Sequence, residues 1–247
     1  MKVRGRYTRH GRIRFVSHRD TARLMERAFR KLRLPIAYTE GFSPRPKVSF
    51  GLALSVGHES EAEYLDIDLV TAVDLEALPE QLSAALPDGL TVTAVEPLEQ
   101  GATSLQQAIV CCQWNIEVLG APLDAVSAAV SALVATPERF LERERKSKTS
   151  VVDVRPAILE VEVMGPTDRG VQLRAVLATE QLSIRPSELI RVLGLNLREG
   201  AVCRTHQWTN AEGELIEPID RHTSGASRNP VSPAIVHSAR PADLQAS

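Results

Sequence analysis

SHRDTARLMERAFRKLR, residues 17–33, reads as one helix with two opposed faces. Ser17 stands three residues before Asp20, the spacing of a capping box with Ser17 as N-cap and Asp20 at N3. Leu24, Met25, Ala28, Phe29 and Leu32 recur at helical spacing and mark the buried side. Arg19, Arg23, Arg27 and Lys31, each four residues from the next, form a column of positive charge on another side. Like charges at that spacing destabilise a helix by about 0.2–0.5 kcal/mol per pair, so the column suggests an anion outside the chain that offsets it. An ordinary solvated helix face is the plainer alternative.

Outward from this helix the pattern alternates between strands and helices. Upstream, Lys2–Thr8 and Arg12–Ser17 carry β-forming residues around the turn at His10-Gly11, which predicts a strand or hairpin. Downstream, Leu34–Thr39 reads as a short strand with Pro35 at its edge or first position. Gly41-Phe42-Ser43-Pro44-Arg45-Pro46-Lys47 is a loop stiffened by two prolines. Val48–Val56 and the alternating Tyr64–Val70 are strands, Asp74–Leu86 is a helix closed by Pro87-Asp88-Gly89, and Leu90–Pro97 is a strand. This order is that of the split βαβ, or ferredoxin-like, unit.

The second half repeats it. Ala108–Leu119 is a strand and Leu123–Thr136 a helix. Phe140–Leu141, Ala157–Met164 and Val171–Leu177 follow as strands, then the helix Arg185–Leu193 and the strand Ala201–Gln207. The expected fold class is therefore α+β, with tandem ferredoxin-like halves at 1–100 and 101–208, each with an antiparallel sheet. No residue identity relates the halves, so the repeat is one of topology. From Thr209 to Ser247 the chain turns to aperiodic Ser, Pro, Ala, His and Arg, the composition of a disordered tail.

The net charge of −2 conceals a strong segregation. Within residues 1–50, fourteen Lys and Arg stand against Asp20, Glu26 and Glu40, a surplus of eleven. From Val48 to Glu138 there is no Lys or Arg, while Glu59, Glu61, Glu63, Asp66 and Asp68 accumulate. A second basic group follows at Arg139, Arg143, Arg145, Lys146, Lys148 and Arg155. Such asymmetry points to a polyanion partner, RNA above all. Internal neutralisation between the segments is the alternative. Exposed ion pairs contribute only about 0–1 kcal/mol each, so internal pairing has little need of so large a surplus.

Composition narrows the classes. No apolar run approaches the roughly 20 residues that span a bilayer. MKVRGRYTRHGR at the start lacks the apolar segment of a signal peptide, so the cytoplasm is the expected compartment. Hydrophobic residues make up 43% and aromatics 4%, so the core must be built of Leu, Val, Ala and Ile. Cys111 and Cys112 are adjacent and Cys203 stands alone, without a C-x-x-C. They read as small buried hydrophobes rather than metal or cluster ligands, and the chain is expected to carry neither metal nor cofactor of its own.

Candidate site residues follow from chemistry. His10, His18 and Tyr38 are the candidates for acid–base work, such as metal-free RNA cleavage; helix cap and loop surface are the plainer roles for the histidines. Arg19, Arg23, Arg27, Arg30, Arg45 and Lys47 are candidate phosphate contacts. Phe42, with Tyr38, is a candidate stacking or loop-anchoring residue. Lys146, Lys148 and Arg155, around Ser147 and Thr149, form a second possible phosphate site, and Arg204-Thr205 a third cation. There is no Gly-rich phosphate loop, no G-x-S-x-G and no triad-like motif.

Several of these segments together resemble one family. They are Arg14-Phe15-Val16-Ser17-His18-Arg19-Asp20, Arg27-Ala28-Phe29-Arg30, Leu34-Pro35-Ile36-Ala37-Tyr38, the 41–47 loop, and Gly57-His58-Glu59-Ser60-Glu61-Ala62-Glu63-Tyr64. They resemble the radical-SAM-linked bacterial proteins, a domain of unknown function found fused to, or encoded beside, a radical-SAM enzyme. Val152-Asp153-Val154-Arg155-Pro156 and Arg204-Thr205 extend the resemblance weakly. Arg19 stands where that pattern usually has an aliphatic residue, and Arg45 where it commonly has histidine. The resemblance implies a separately encoded radical-SAM partner, whose cluster this chain cannot hold, having no C-x-x-x-C-x-x-C. The expected function is that of an accessory or substrate-binding protein presenting RNA, tRNA in particular. A metal-independent RNA-processing enzyme, or a scaffold docking a basic protein on its acidic 59–68 stretch, are the alternatives.

Overall fold

The computed structural model describes residues 1–99, 101–145, 148–180 and 182–219. Its strands are β1 (Lys2–Arg9), β2 (Val48–Phe50), β3 (Glu59–Asp68), β4 (Leu90–Leu98), β5 (Ile109–Leu119), β6 (Phe140–Arg145), β7 (Lys148–Asp153), β8 (Ile158–Pro166), β9 (Val171–Ala178), β10 (Arg198–Ala211) and β11 (Glu214–Ile216). Its helices are α1 (His18–Lys31), α2 (Leu78–Ala85), α3 (Leu105–Ala108), α4 (Leu123–Ala135) and α5 (Pro186–Leu193).

Among the described residues nine strands form one sheet in the order β4-β1-β3-β10-β5-β9-β8, with β2 on β3 and β11 on β10. In the first half β1 runs antiparallel to both β3 and β4, and β2 antiparallel to β3. In the second, β10, β5, β9 and β8 are antiparallel in turn. The expectation of separate antiparallel sheets is corrected at the junction. There β3 and β10 pair in parallel, Glu59 beside Cys203 and Ser60 beside Arg204, and fuse the halves into a single mixed sheet. The mixed α+β class stands, with strands dominating.

Two aliphatic clusters fill the layer between sheet and helices. One joins Val3, Met25, Phe29, Ile67 and Leu82 around α1 and α2. The other joins Ile116, Val126, Leu133, Leu173 and Leu189 around α4 and α5.

Local differences from the sequence reading have identifiable causes. Arg12–Ser17 is no strand: Gly11 takes φ +66, and Gly11–Phe15 winds into a 3₁₀ turn. The buried Arg9 guanidinium holds that turn by donating to the carbonyls of Ile13, Arg14 (2.8 Å) and Val16. Leu34–Thr39 makes only isolated bridges, Ile36 to Leu69 and Tyr38 to Pro46, because Pro35 and Pro46 offer no N–H for a ladder. Thr209–Ile216, read as the start of the tail, continues β10 and folds back through β11. From residue 220 onward the expected tail lies outside the described residues.

The turn into β4 requires glycine. Gly89 has φ +90 and accepts from the His10 N–H at 2.8 Å, and a Cβ there would stand 2.3 Å from the His10 carbonyl oxygen. Gly89→Ala is expected to lower unfolding free energy by about 2 kcal/mol or more in urea titration. Gly41→Ala, at φ +119 with no atom near, should lose only about 1 kcal/mol.

Candidate nucleic-acid interface

α1 displays its cations because its other face is committed to the core. Ser17 caps it, accepting the Asp20 N–H at 3.1 Å and donating to Asp20 Oδ2 at 2.7 Å. Thr21, Met25, Ala28 and Phe29 are buried, which leaves Arg19, Arg23, Arg27, Arg30 and Lys31 in solvent. Residues four apart rise about 6 Å along the axis, so the column is an evenly spaced row of charge. Arg23 meets Asp20 at 2.8 Å, but both side chains are half exposed and such a pair is weak. Among the described residues Arg27, Arg30, Arg45 and Lys47 make no ion pair.

The helix ends in a Schellman turn, with Leu34 N–H donating to Phe29 O at 3.0 Å and Arg33 N–H to Arg30 O at 3.1 Å. This turn directs residues 34–47 back along the sheet edge. Ala37 N–H donates to Asp68 O, and Asp68 N–H to Lys47 O, which pins the loop base to the end of β3. Thr39 and Arg45 close a narrower hairpin above it, Thr39 N–H to Arg45 O at 2.9 Å and Arg45 N–H to Thr39 Oγ1 at 3.0 Å. At its tip Phe42 is fully exposed, so it does not anchor the loop inward. Tyr38, half exposed, shares a groove with Glu26, Phe29 and Arg30. Two solvent-facing rings and the cations Arg30, Arg45 and Lys47 thus gather at the C-terminal end of α1. Rings with flanking cations can take unstacked bases and their phosphates.

The other candidates are placed elsewhere. Lys146 lies outside the described residues, as does the side chain of Lys148. Arg155 is a structural clamp, donating to the carbonyls of Val134 (3.2 Å) and Thr136 (3.1 Å) at the C-terminal end of α4 and of Ile158 (2.8 Å) at the start of β8. Arg204 is buried against Glu63 instead of presenting an open cation. His10 lies 3.5 Å from Glu59 at the 3₁₀ turn, and His18 packs edge-on against Phe50 at 5.8 Å. Tyr38 sits beside Glu26, two turns of α1 and about 12 Å along the axis from His18. The three do not converge.

Part of the basic surplus is consumed inside the fold. Arg4 pairs with Asp66 at 2.7 Å with both side chains buried, Arg6 reaches the Glu61 carbonyl at 3.1 Å, and Arg14 meets Glu59 at 2.8 Å. Three of the five acids in the 59–68 stretch, Glu59, Glu63 and Asp66, are spent on these cations and on Arg204. Internal neutralisation, the alternative reading of the charge segregation, thus accounts for part of the surplus; which residues pair was not legible, because the partners lie far apart along the chain.

At the junction of the halves the Arg204 guanidinium donates to Glu63 Oε1 at 3.0 Å and to the Leu52 carbonyl at 2.9 Å, and lies 5.4 Å from the Trp114 ring centre. Burial holds the neighbouring His18 below the usual imidazole range; Glu63 opposes the shift, while Arg204 and Arg9 add to it. Because His18 binds its proton less readily folded than unfolded, stability is expected to fall as pH drops below the ordinary value of 6.5. Thermal melts between acid and neutral pH should show a shallower acid-side loss in His18→Gln; an unchanged slope contradicts the assignment.

Burial also keeps the cysteines protonated. Cys111 and Cys203 are pushed up to about 12 and Cys112 to about 11. Disulfide-exchange labelling of the native chain at neutral pH is expected to be at least about tenfold slower than in urea, since the thiolate is the reactive form.

Residues 2–186 match the family described as an uncharacterized protein conserved in bacteria, DUF2344. The chain belongs to this family. No curated protein matches it. Solved structures similar to this DUF2344 chain include a Cbf5-Nop10-Gar1 complex, at 11% identity and a TM-score of 0.44, covering 78% of this chain and 47% of that one. Another is an H/ACA RNP bound to a substrate RNA containing 2'-deoxyuridine, at 12% identity and a TM-score of 0.43, covering 86% and 50%. The chain spans about half the length of the solved chains it matches. Among the described residues no helix is long and apolar enough to cross a membrane.

Proposed function

We propose that this DUF2344 chain is an RNA-binding accessory protein that presents its RNA, tRNA in particular, to a separately encoded radical-SAM enzyme in the cytoplasm. The observation that carries the RNA reading is the row of exposed arginines on α1 leading to a loop whose Phe42 ring stands wholly in solvent. Arg19, Arg23, Arg27, Arg30, Arg45 and Lys47 supply phosphate contacts. Phe42 and Tyr38 supply stacking surfaces. Binding of this kind releases counterions and is steeply salt-dependent.

The partnership rests on the resemblance of residues 1–70 to radical-SAM-linked proteins. The chain's own cysteines are neutral thiols, Cys111 and Cys112 buried and Cys203 half-buried, and are not spaced for a cluster, so that chemistry would come from the partner. We read the strand orders β4-β1-β3-β2 and β10-β5-β9-β8 as two split βαβ units dividing near residue 100, which places the basic helix on the first unit.

The test is a pull-down from native lysate, divided into nuclease-treated and untreated samples. A discrete RNA class and a radical-SAM enzyme are expected in the untreated sample, with the RNA lost at raised salt. Recovery of the chain alone in both samples overturns the reading.

A further inference from the structure

A second feature lies at the other end of α1. A cleft of about 440 Å³ opens between the 3₁₀ turn and the strands β5, β9 and β10. Arg14 and Phe15 form its rim on one side, with Asn115, Gln172, Glu199 and Cys203 among the side chains opposite. Phe15 is 61% exposed, and the Arg14 guanidinium lies 4.8 Å from its ring centre. Glu59 fixes that guanidinium at 2.8 Å and also accepts the Gly11 N–H at 2.9 Å. The ring is thus held in water on a stiff turn rather than folded onto the core.

The opposite wall sets polar side chains with open hydrogen-bonding capacity among the apolar Leu119, Ala201 and Val202. Among the described residues the Asn115 amide has no partner, and Gln172 donates to the Leu173 carbonyl at 3.2 Å, leaving its amide oxygen open. Glu199 is oriented by the buried His58, Nε2 to Oε1 at 2.8 Å. An amide with both donor and acceptor, a second amide oxygen and an oriented carboxylate complement the edge of a heterocycle carrying N–H and C=O groups. An aromatic ring backed by a guanidinium complements its face. The volume lies in the range of small-ligand sites and is too small for a base pair with its backbone.

We infer that this cleft takes a single unstacked nucleobase, with Phe15 stacking on it and Asn115, Gln172 and Glu199 reading its edge. Phe15 precedes α1 by three residues, so the cleft lies at the N-terminal end of the arginine row and Phe42 at the other. The helix between them, 14 residues, spans about 21 Å. An RNA strand along Arg19, Arg23 and Arg27 would deliver one base into the cleft, as proteins that act on or read a base take it out of its stack. That source rests on the RNA-binding reading; the base specificity of the cleft does not.

The two are separable. Adenosine, guanosine, cytidine and uridine are each titrated into the full chain and followed by backbone amide NMR. At least one is expected to give saturable shifts confined to residues near 15, 115, 172 and 199–203, weakened about tenfold in Phe15→Ala and in Asn115→Leu. Both side chains are solvent-facing, so these variants should fold, and an unchanged thermal melt verifies it. Arg19→Glu with Arg27→Glu should leave the nucleoside titration unaltered. Nucleoside binding without RNA binding sinks the accessory reading and keeps the cleft. Absence of saturable shifts with all four, or shifts indifferent to both cleft variants, overturns the cleft whatever the RNA does.

Discussion

Arg19→Glu combined with Arg27→Glu lowers affinity for single-stranded RNA by about 100-fold at low salt while leaving the fold at least as stable. The two halves of that expectation have one cause. In the native helix Arg19, Arg23, Arg27 and Lys31 repel one another at four-residue spacing. The double substitution turns all three neighbouring pairs from like to opposite charge, each gaining about 0.3–0.5 kcal/mol. Stability and binding therefore move in opposite directions, which a variant that merely unfolds cannot imitate. Filter binding and urea titration read the two quantities separately. Arg198→Glu, at an exposed position starting β10, should change RNA affinity less than about threefold. Equal losses from both variants, or none from the first, would remove the helix from the interface.

Glu63→Ala is expected to cost about 3–5 kcal/mol, the largest effect on stability of any single change considered, because it strands a buried guanidinium. Arg204 and Glu63 are 2% and 5% exposed and join β10 to β3, where the sheet passes from one half to the other by a short parallel pairing. Burial works against the Arg204 charge, and Glu63, with smaller contributions from Cys112 and Tyr7, more than restores it. Replacing both partners, Glu63→Leu with Arg204→Met, should recover much of the loss, since no charge is then left unpaired. Urea unfolding of the three variants measures this. A Glu63→Ala cost below about 1 kcal/mol would mean that water reaches Arg204 and that the junction is held by other contacts.

What the sequence disclosed follows the range of the interactions. α1 was legible to within a residue or two because its cap, buried stripe and charge column are all local. The alternation of strands and helices was legible more coarsely: the strand read over Val48–Val56 ends at Phe50, β3 begins at Glu59 rather than Tyr64, and α3 and β7 had no counterpart in the reading. The parallel contact between Glu59–Ser60 and Cys203–Arg204 was not legible, because no local pattern marks which strand ends meet across 144 residues. For the same reason Arg204 and Arg155 read as open cations: the carboxylate and the carbonyls that engage them come from elsewhere in the chain. Arg12–Ser17 misled through its β-forming residues, where a positive-φ glycine and the Arg9 guanidinium decide the backbone. The loop at 41–47 was correctly seen as proline-stiffened, but only the structure shows that Phe42 points into solvent. The cleft beside Phe15 had a partial signal in Arg14-Phe15 and none in Asn115, Gln172 and Glu199, which three strands bring together.

The most direct measurement is the affinity of the full chain for a single-stranded RNA as a function of salt. Six phosphate contacts from Arg19, Arg23, Arg27, Arg30, Arg45 and Lys47, at about 0.7 per contact, predict a slope of log K against log salt near −4. The Arg19→Glu, Arg27→Glu variant should fall toward a slope of about −3 or shallower. A wild-type slope shallower than about −1, or no binding at about 50 mM salt, would contradict the account.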